Sequence, residues 1–138
     1  MFEKIINSKS IFSVGLSNNK EIDSDGIVIA TKSSMKKSLD KINYDYALID
    51  SVDLMINKPY FNFNKADSIS VSVAAASIIA KVCRDSMMSN IYDKLYPDYF
   101  FKNNKGYGSN KHIEIMKNIG LCPIHRKTFK PNSELIRK

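Results

Sequence analysis

Apolar and polar positions change period several times along the chain, and each change predicts an element. "SIFSVGL", residues 10–16, combines β-formers with a glycine and predicts a strand. "SNNKEID" follows as a turn in which Asn18 can cap a helix with Glu21 three positions on, the capping-box spacing. Beyond Gly26, the residues Ile27, Ala30, Met35, Leu39 and Ile42 recur at roughly helical spacing, with Lys32, Lys36 and Lys37 facing elsewhere, so one amphipathic helix is expected. "YALID", residues 46–50, reads as a buried strand ending in an acid, and "YFNFN", residues 60–64, alternates like a half-exposed strand. From about Ser70 to Tyr96 the pattern is helical, and Pro97 stops it. The first half of that helix is built from small residues, Ala74, Ala75, Ala76, Ser77 and Ala80, which let its axis lie close to whatever it packs on; the second half, with Met87, Ile91 and Leu95, is conventionally amphipathic. A loop with Gly106 and Gly108 around Tyr107 then leads to a helix that Ser109 or Asn110 can cap and Gly120 can end.

Strands alternating with helices predict an α/β layer structure, helices packed on a partly parallel sheet of which three strands are visible. No repeat, low-complexity tract or linker divides the chain, so residues 1–138 are expected to form a single domain. The formal charge of +7 is uneven: residues 1–100 hold 12 Lys/Arg and 12 Asp/Glu, residues 101–138 hold 9 and 2, so the excess lies in a basic C-terminal segment of the same domain. Such an asymmetry fits a polyanion partner, because Lys and Arg displace condensed counterions from a phosphate backbone; a solvated basic tail fits it equally well. Cys83 and Cys122 show neither a disulfide framework nor a zinc-ligand pattern and read as reduced thiols. With no export signal and no apolar run long enough for a bilayer, a soluble cytoplasmic protein is expected.

Chemistry is expected beyond the carboxyl ends of the strands. Asp50 ends a buried-looking strand, and Asp67 follows the next strand 17 positions later, so both acids can meet on one rim. Neighbouring carboxylates repel unless a cation sits between them, and a hard divalent ion such as Mg²⁺ is the usual solution. Two plainer readings stay open: Asp50 as a turn former or helix cap, and Asp67 as an acid favouring the positive end of the helix it precedes.

"KADSISVSVAAASIIAKVCRD", residues 65–85, resembles the signature segment of ribonuclease HII, the type 2 ribonuclease H family. Further segments match in the family's order: "EIDSDGIVIAT" at 21–31, "ALIDS" at 47–51, "KGYGSNKH" at 105–112 and "PIHRKTFKP" at 123–131. Together they span nearly the whole chain. The resemblance implies a ribonuclease H-like mixed sheet flanked by helices, with a C-terminal helical segment. It also implies an endonuclease that cleaves the RNA strand of RNA–DNA hybrids and duplex DNA at embedded ribonucleotides, using two Mg²⁺ or Mn²⁺ ions and leaving a 5′-phosphate and a 3′-hydroxyl. Of the family's four metal-binding acids, the third corresponds to Asp50 and the fourth to Asp67, both therefore catalytic. Tyr107 corresponds to the tyrosine that packs on the deoxyribose next to the ribonucleotide, and Lys105, Lys111 and Arg126 are expected towards the phosphates. Asp85 is read as structural, pairing with Arg84 or Lys81, and His112 and His125 as surface or hydrogen-bonding residues.

The family's opening strand carries Asp-Glu-x-Gly-Arg-Gly, with the first two metal ligands, and that motif does not occur in this sequence. The resemblance thus implies that roughly the first third of a full-length enzyme, including the first strands of the sheet, is absent. Smaller departures are Asp25-Gly26 for Leu-Asn, Ser51-Val52 for Gly-Asn after Asp50, and Asn104 where a His often precedes the Lys-Gly-Tyr-Gly loop. Three readings follow: a shortened nuclease, a non-catalytic nucleic-acid-binding remnant, or one half of a split enzyme whose complementing N-terminal fragment completes the sheet by strand addition.

Overall fold

The computed structural model describes residues 1–136. The chain divides into two compact units, residues 1–82 and 83–138.

In the first unit, α1 (Phe2–Ile6) precedes α2 (Asn19–Asp25) and α3 (Ile27–Leu39). The capping box forms as the spacing predicts: the Asn18 side chain accepts from the Lys20 and Glu21 N–H groups, and Glu21 accepts from the Asn18 N–H. Gly26 separates α2 from α3 at φ +84, a conformation that strains any residue with a Cβ. Two short strands follow, β1 (Ala47–Asp50) and β2 (Tyr60–Phe63), paired in parallel with Ala47 opposite Tyr60 and Asp50 opposite Phe63. Beneath β1, Ala47, Ile49 and Leu54 form a small core against Met35 and Leu39 of α3. A one-turn helix α4 (Ala66–Ile69) then leads to α5 (Val71–Met87).

The sheet comprises these two strands among the described residues. The strand predicted over residues 10–16 does not form, because a strand is stabilised by ladder partners and this segment has none. It is tied to α3 and the turn after it instead: the Ser13 hydroxyl donates to the Ser38 carbonyl at 2.5 Å, and the Lys41 and Lys37 ammonium groups donate to the Val14 and Leu16 carbonyls at 2.9 and 3.1 Å. Gly15 lies so close to α3 that a Cβ there would stand 1.9 Å from the Ser34 carbonyl oxygen.

The predicted long helix appears as α5, a π-helical turn at Met88–Tyr92 and a final turn α6 (Asp93–Leu95), ending before Pro97. Within the second unit, a 3-10 turn (Pro97–Tyr99), α7 (Phe101–Asn104), α8 (Asn110–Ile119) and α9 (Asn132–Ile136) surround a core of Tyr99, Phe101, Met116 and Cys122. The Ser109 side chain caps α8 and Gly120 ends it at φ +83, as the sequence predicts. Among the described residues no helix is long and apolar enough to cross a membrane.

Candidate active site

Alternation along β1 decides where Asp50 goes. Ala47 and Ile49 are buried, so Leu48 and Asp50 share the opposite face, with Asp50 half-buried at the carboxyl end of the strand. Lys65, in the left-handed conformation at φ +57, turns the chain after β2 so that the Ala66 N–H donates to Asp50 Oδ1 at 3.0 Å. The Ser51 hydroxyl donates to the same oxygen at 2.9 Å. Asp50 therefore does act as a cap on α4, and its Oδ2 takes no hydrogen bond among the described residues. Asp67 is the residue after Ala66; it is exposed in the first turn of α4, and the Ser68 hydroxyl reaches it only at 3.5 Å. The two predicted acids thus lie at one end of the two-stranded sheet, joined through the backbone of Ala66.

A hard cation fits these donors in part. Asp50 and Asp67 offer oxygen ligands in the number typical of a largely hydrated Mg²⁺. Among the described residues no group of three or more His, Cys, Asp or Glu comes together, so Asp50 and Asp67 stand as a pair.

The other predicted site residues belong to the second unit. Tyr107 is about half exposed, its ring beneath the Arg84 guanidinium at 4.8 Å. Lys105 turns its ammonium back onto Ser89 Oγ and the Lys102 carbonyl. Lys111 lies over the Phe100 ring at 5.2 Å and Arg126 over the Phe129 ring at 3.9 Å. Asp85 pairs with Arg84 at 3.2 Å, as expected.

Two residues matter more than their sequence context indicates. Asn104 donates to the Tyr99 carbonyl at 2.7 Å and accepts the Gly106 N–H at 2.7 Å, which orients its amide and leaves an N–H facing His112 Nδ1 at 3.1 Å. His112 Nε2 meets His125 Nε2 at 3.3 Å, and His125 Nδ1 faces Cys122 Sγ at 3.1 Å and accepts its backbone N–H at 3.0 Å. Both histidines are buried and take the hydrogen-bonding role of the two expected, not the surface one, and burial holds each below the ordinary histidine value; His112 adds to the shift at His125. Burial also pushes the Cys122 thiol up. This polar chain anchors the loop that carries Tyr107, and the available signal for it was an amide residue just before Lys-Gly-Tyr-Gly. The role of Arg84 as the cation over Tyr107 had no sequence signal, since 23 positions separate them.

Comparison with known proteins is consistent along the whole length. The sequence profile of ribonuclease HII matches residues 2–132. The ribonuclease HII of Enterococcus faecalis is 41% identical over 138 residues, covering 99% of this chain and 54% of that protein. Those of Listeria innocua and Acholeplasma laidlawii are 43% and 41% identical, with 97% and 100% of this chain covered and 52% and 68% of theirs. The crystal structure of ribonuclease H2 from Pyrococcus horikoshii superposes with a TM-score of 0.64 at 27% identity, covering 99% of this chain and 73% of that one. The chain spans about half the length of the Enterococcus and Listeria relatives.

Proposed function

The chain belongs to the ribonuclease HII family, and on that premise we propose that it contributes Asp50 and Asp67 to a metal-dependent endonuclease acting on RNA joined to DNA. The substrate class is the RNA strand of RNA–DNA hybrids and duplex DNA carrying embedded ribonucleotides, cleaved by hydrolysis to a 5′-phosphate and a 3′-hydroxyl. The supporting observation is the convergence of the two acids on the backbone of Ala66 at the carboxyl end of β1. Asp50 is oriented by the Ala66 N–H and the Ser51 hydroxyl, which leaves one oxygen to face a cation, while Asp67 stays exposed. Bound Mg²⁺ or Mn²⁺ supplies the activated water and the charge neutralisation that such a hydrolysis requires. The further acids of a two-ion site come from outside the described residues. Tyr107, held by Arg84 and by the Asn104-anchored loop, offers an aromatic face to the sugar at the junction, and Lys105, Lys111 and Arg126 contribute positive charge towards the phosphates.

The test is a nicking assay with Mn²⁺ and a duplex bearing one ribonucleotide, run on the chain alone and on the chain with the unmatched part of the Enterococcus relative. Nicking that disappears in Asp67→Asn supports the reading. Salt-sensitive duplex binding that survives Asp50→Asn and Asp67→Asn together, with no nicking in either mixture, replaces it with a binding remnant that uses the basic segment.

A further inference from the structure

We propose that His112 and His125 are positioning residues that form a two-state relay, coupling the turn at residues 122–125 to the loop that carries Tyr107. One end of the relay adjoins Arg126 in the chain, and the other holds Asn104, which bonds Gly106 just before Tyr107. The proposed function puts nucleic-acid contacts at Arg126 and Tyr107; the relay deepens that reading, and its test involves neither metal nor nucleic acid.

Four ring nitrogens stand in a row between two fixed donors. At one end the Cys122 N–H lies against His125 Nδ1, nitrogen to nitrogen 3.0 Å. In the middle His125 Nε2 and His112 Nε2 face each other at 3.3 Å. At the other end the Asn104 amide nitrogen stands 3.1 Å from His112 Nδ1. That amide is fixed in direction, because its nitrogen donates to the Tyr99 carbonyl at 2.7 Å and its oxygen accepts the Gly106 N–H at 2.7 Å. A neutral imidazole carries one N–H and one acceptor nitrogen. Were both end donors accepted at once, each ring would hold its proton on Nε2, and two N–H groups would meet head-on in the middle. While the central bond is made, one end bond excludes the other.

Two arrangements satisfy the row. In the first, Cys122 N–H donates to His125 Nδ1, His125 Nε2–H to His112 Nε2, and His112 Nδ1–H to the Tyr99 carbonyl, which bonds His112 as well as Asn104. The second runs the opposite way: Asn104 donates to His112 Nδ1, His112 Nε2–H to His125 Nε2, and His125 Nδ1–H to the Cys122 carbonyl at 3.3 Å. The Cys122 thiol, 3.1 Å from His125 Nδ1, donates in the first and accepts in the second. His112 is 2% and His125 8% exposed, and the rings of Tyr99 and Phe101 pack against both, so solvent has little access to replace a lost partner. A metal ion is the other way to join two histidines and a cysteine, but among the described residues these three do not come together as a ligand set. Protons are what the row can exchange. The second arrangement ties Asn104 to His112 in addition to Tyr99 and Gly106, so the direction of the row sets how firmly the turn at Gly106 and Tyr107 is held. By linkage, a phosphate drawn to Arg126 that biases one end biases the other by the same free energy.

The experiment records proton–nitrogen correlation spectra of the imidazoles in the whole chain at about pH 7.5, where both rings are neutral, in buffer without metal or nucleic acid. Each arrangement puts the proton on Nε2 in one ring and on Nδ1 in the other. The Nε2–H fractions of His112 and His125 are therefore expected to add up to about one. Asn104→Ala deletes the donor that the second arrangement needs. It is expected to shift the tautomer ratio of His125, 21 positions away, about fivefold or more towards Nε2–H, the worth of one neutral hydrogen bond. Asn104→Asp, which keeps the acceptor for Gly106 but has no N–H, is expected to act in the same direction and serves if the alanine variant fails to fold. Protons on Nε2 in both rings of the unsubstituted chain, or a His125 ratio indifferent to the Asn104 variants, overturns the proposal; a merely structural asparagine would leave that ratio alone. Because no readout involves catalysis, a failed nicking assay leaves this result standing, and the reverse also holds.

Discussion

Residues 83–136 bond their buried polar groups to one another, whereas residues 1–82 leave, among the described residues, a sheet edge and much apolar surface to solvent. In the second unit two histidines, a cysteine and an asparagine form one connected chain beneath stacked Tyr99 and Phe101. In the first, Ile11, Met55, Ile69 and Val71 are each more than seven-tenths exposed, and the sheet has two strands among the described residues. The difference teaches that a basic region and an acid-bearing region can hold their residues by opposite routes: local hydrogen bonding fixes the Tyr107 loop, while Asp50 ends a strand whose outer edge is open among the described residues.

Truncating the closed side gives the largest expected effect. Phe101 is 1% exposed, and Phe101→Ala removes a fully buried ring, for a loss of about 3–5 kcal/mol. Leu48→Ala, on the open edge, is expected to cost about 1 kcal/mol or less because the side chain is already 43% exposed. Urea unfolding of both variants checks the contrast; similar costs would erase it.

Asn104→Ala comes next. It strips the Gly106 N–H and the Tyr99 carbonyl of their shared partner and leaves His112 Nδ1 without its donor, for about 1–3 kcal/mol. Amide exchange is expected to quicken at Gly106 and Tyr107 and to stay unchanged at Ala47–Asp50. Uniform change along the chain would show that the loop has no local anchor.

Acidification separates the units by charge. His112 and His125 have folded values below the ordinary histidine value because of burial, so below about pH 6.5 the unfolded chain binds protons that the folded chain refuses. The stability they contribute is complete above that pH and is lost as pH falls towards the folded values, at up to about 1.4 kcal/mol per pH unit for each histidine. His112→Gln is expected to flatten that slope over pH 5–6.5. A profile unchanged by the substitution would mean the imidazoles are not buried neutral.

Much of this was legible in the sequence where the signal is local. The Asn18–Glu21 box, the stop at Pro97 and the Ser109 and Gly120 caps follow from residues within a turn of each other. Five ordered motifs carried the family. Residues 10–16 form no strand because β-propensity reports fitness for a sheet, not the presence of a neighbour, and among the described residues no strand lies beside them. The burial of His112 and His125 and the contact of Arg84 with Tyr107 were missed because each depends on helices folding back over 13 or more positions.

The smallest effect sharpens the comparison at the acid itself. Ser51 follows Asp50 with φ +62, a left-handed conformation that costs a residue with a Cβ about 1–2 kcal/mol and glycine almost nothing. Ser51→Gly relieves that cost but deletes the hydroxyl that donates to Asp50 Oδ1, a bond worth about 1 kcal/mol on a largely exposed side chain. The two terms nearly cancel, so the expected gain in the urea midpoint corresponds to about 0.5 kcal/mol or less. The bond from the Ala66 N–H remains, so the carboxylate keeps its orientation while gaining lone-pair capacity. Mn²⁺ titration followed through the Asp50 backbone resonance is therefore expected to show binding at least as tight as in the parent chain. Weaker binding would show that the serine hydroxyl, not the strand end, positions Asp50.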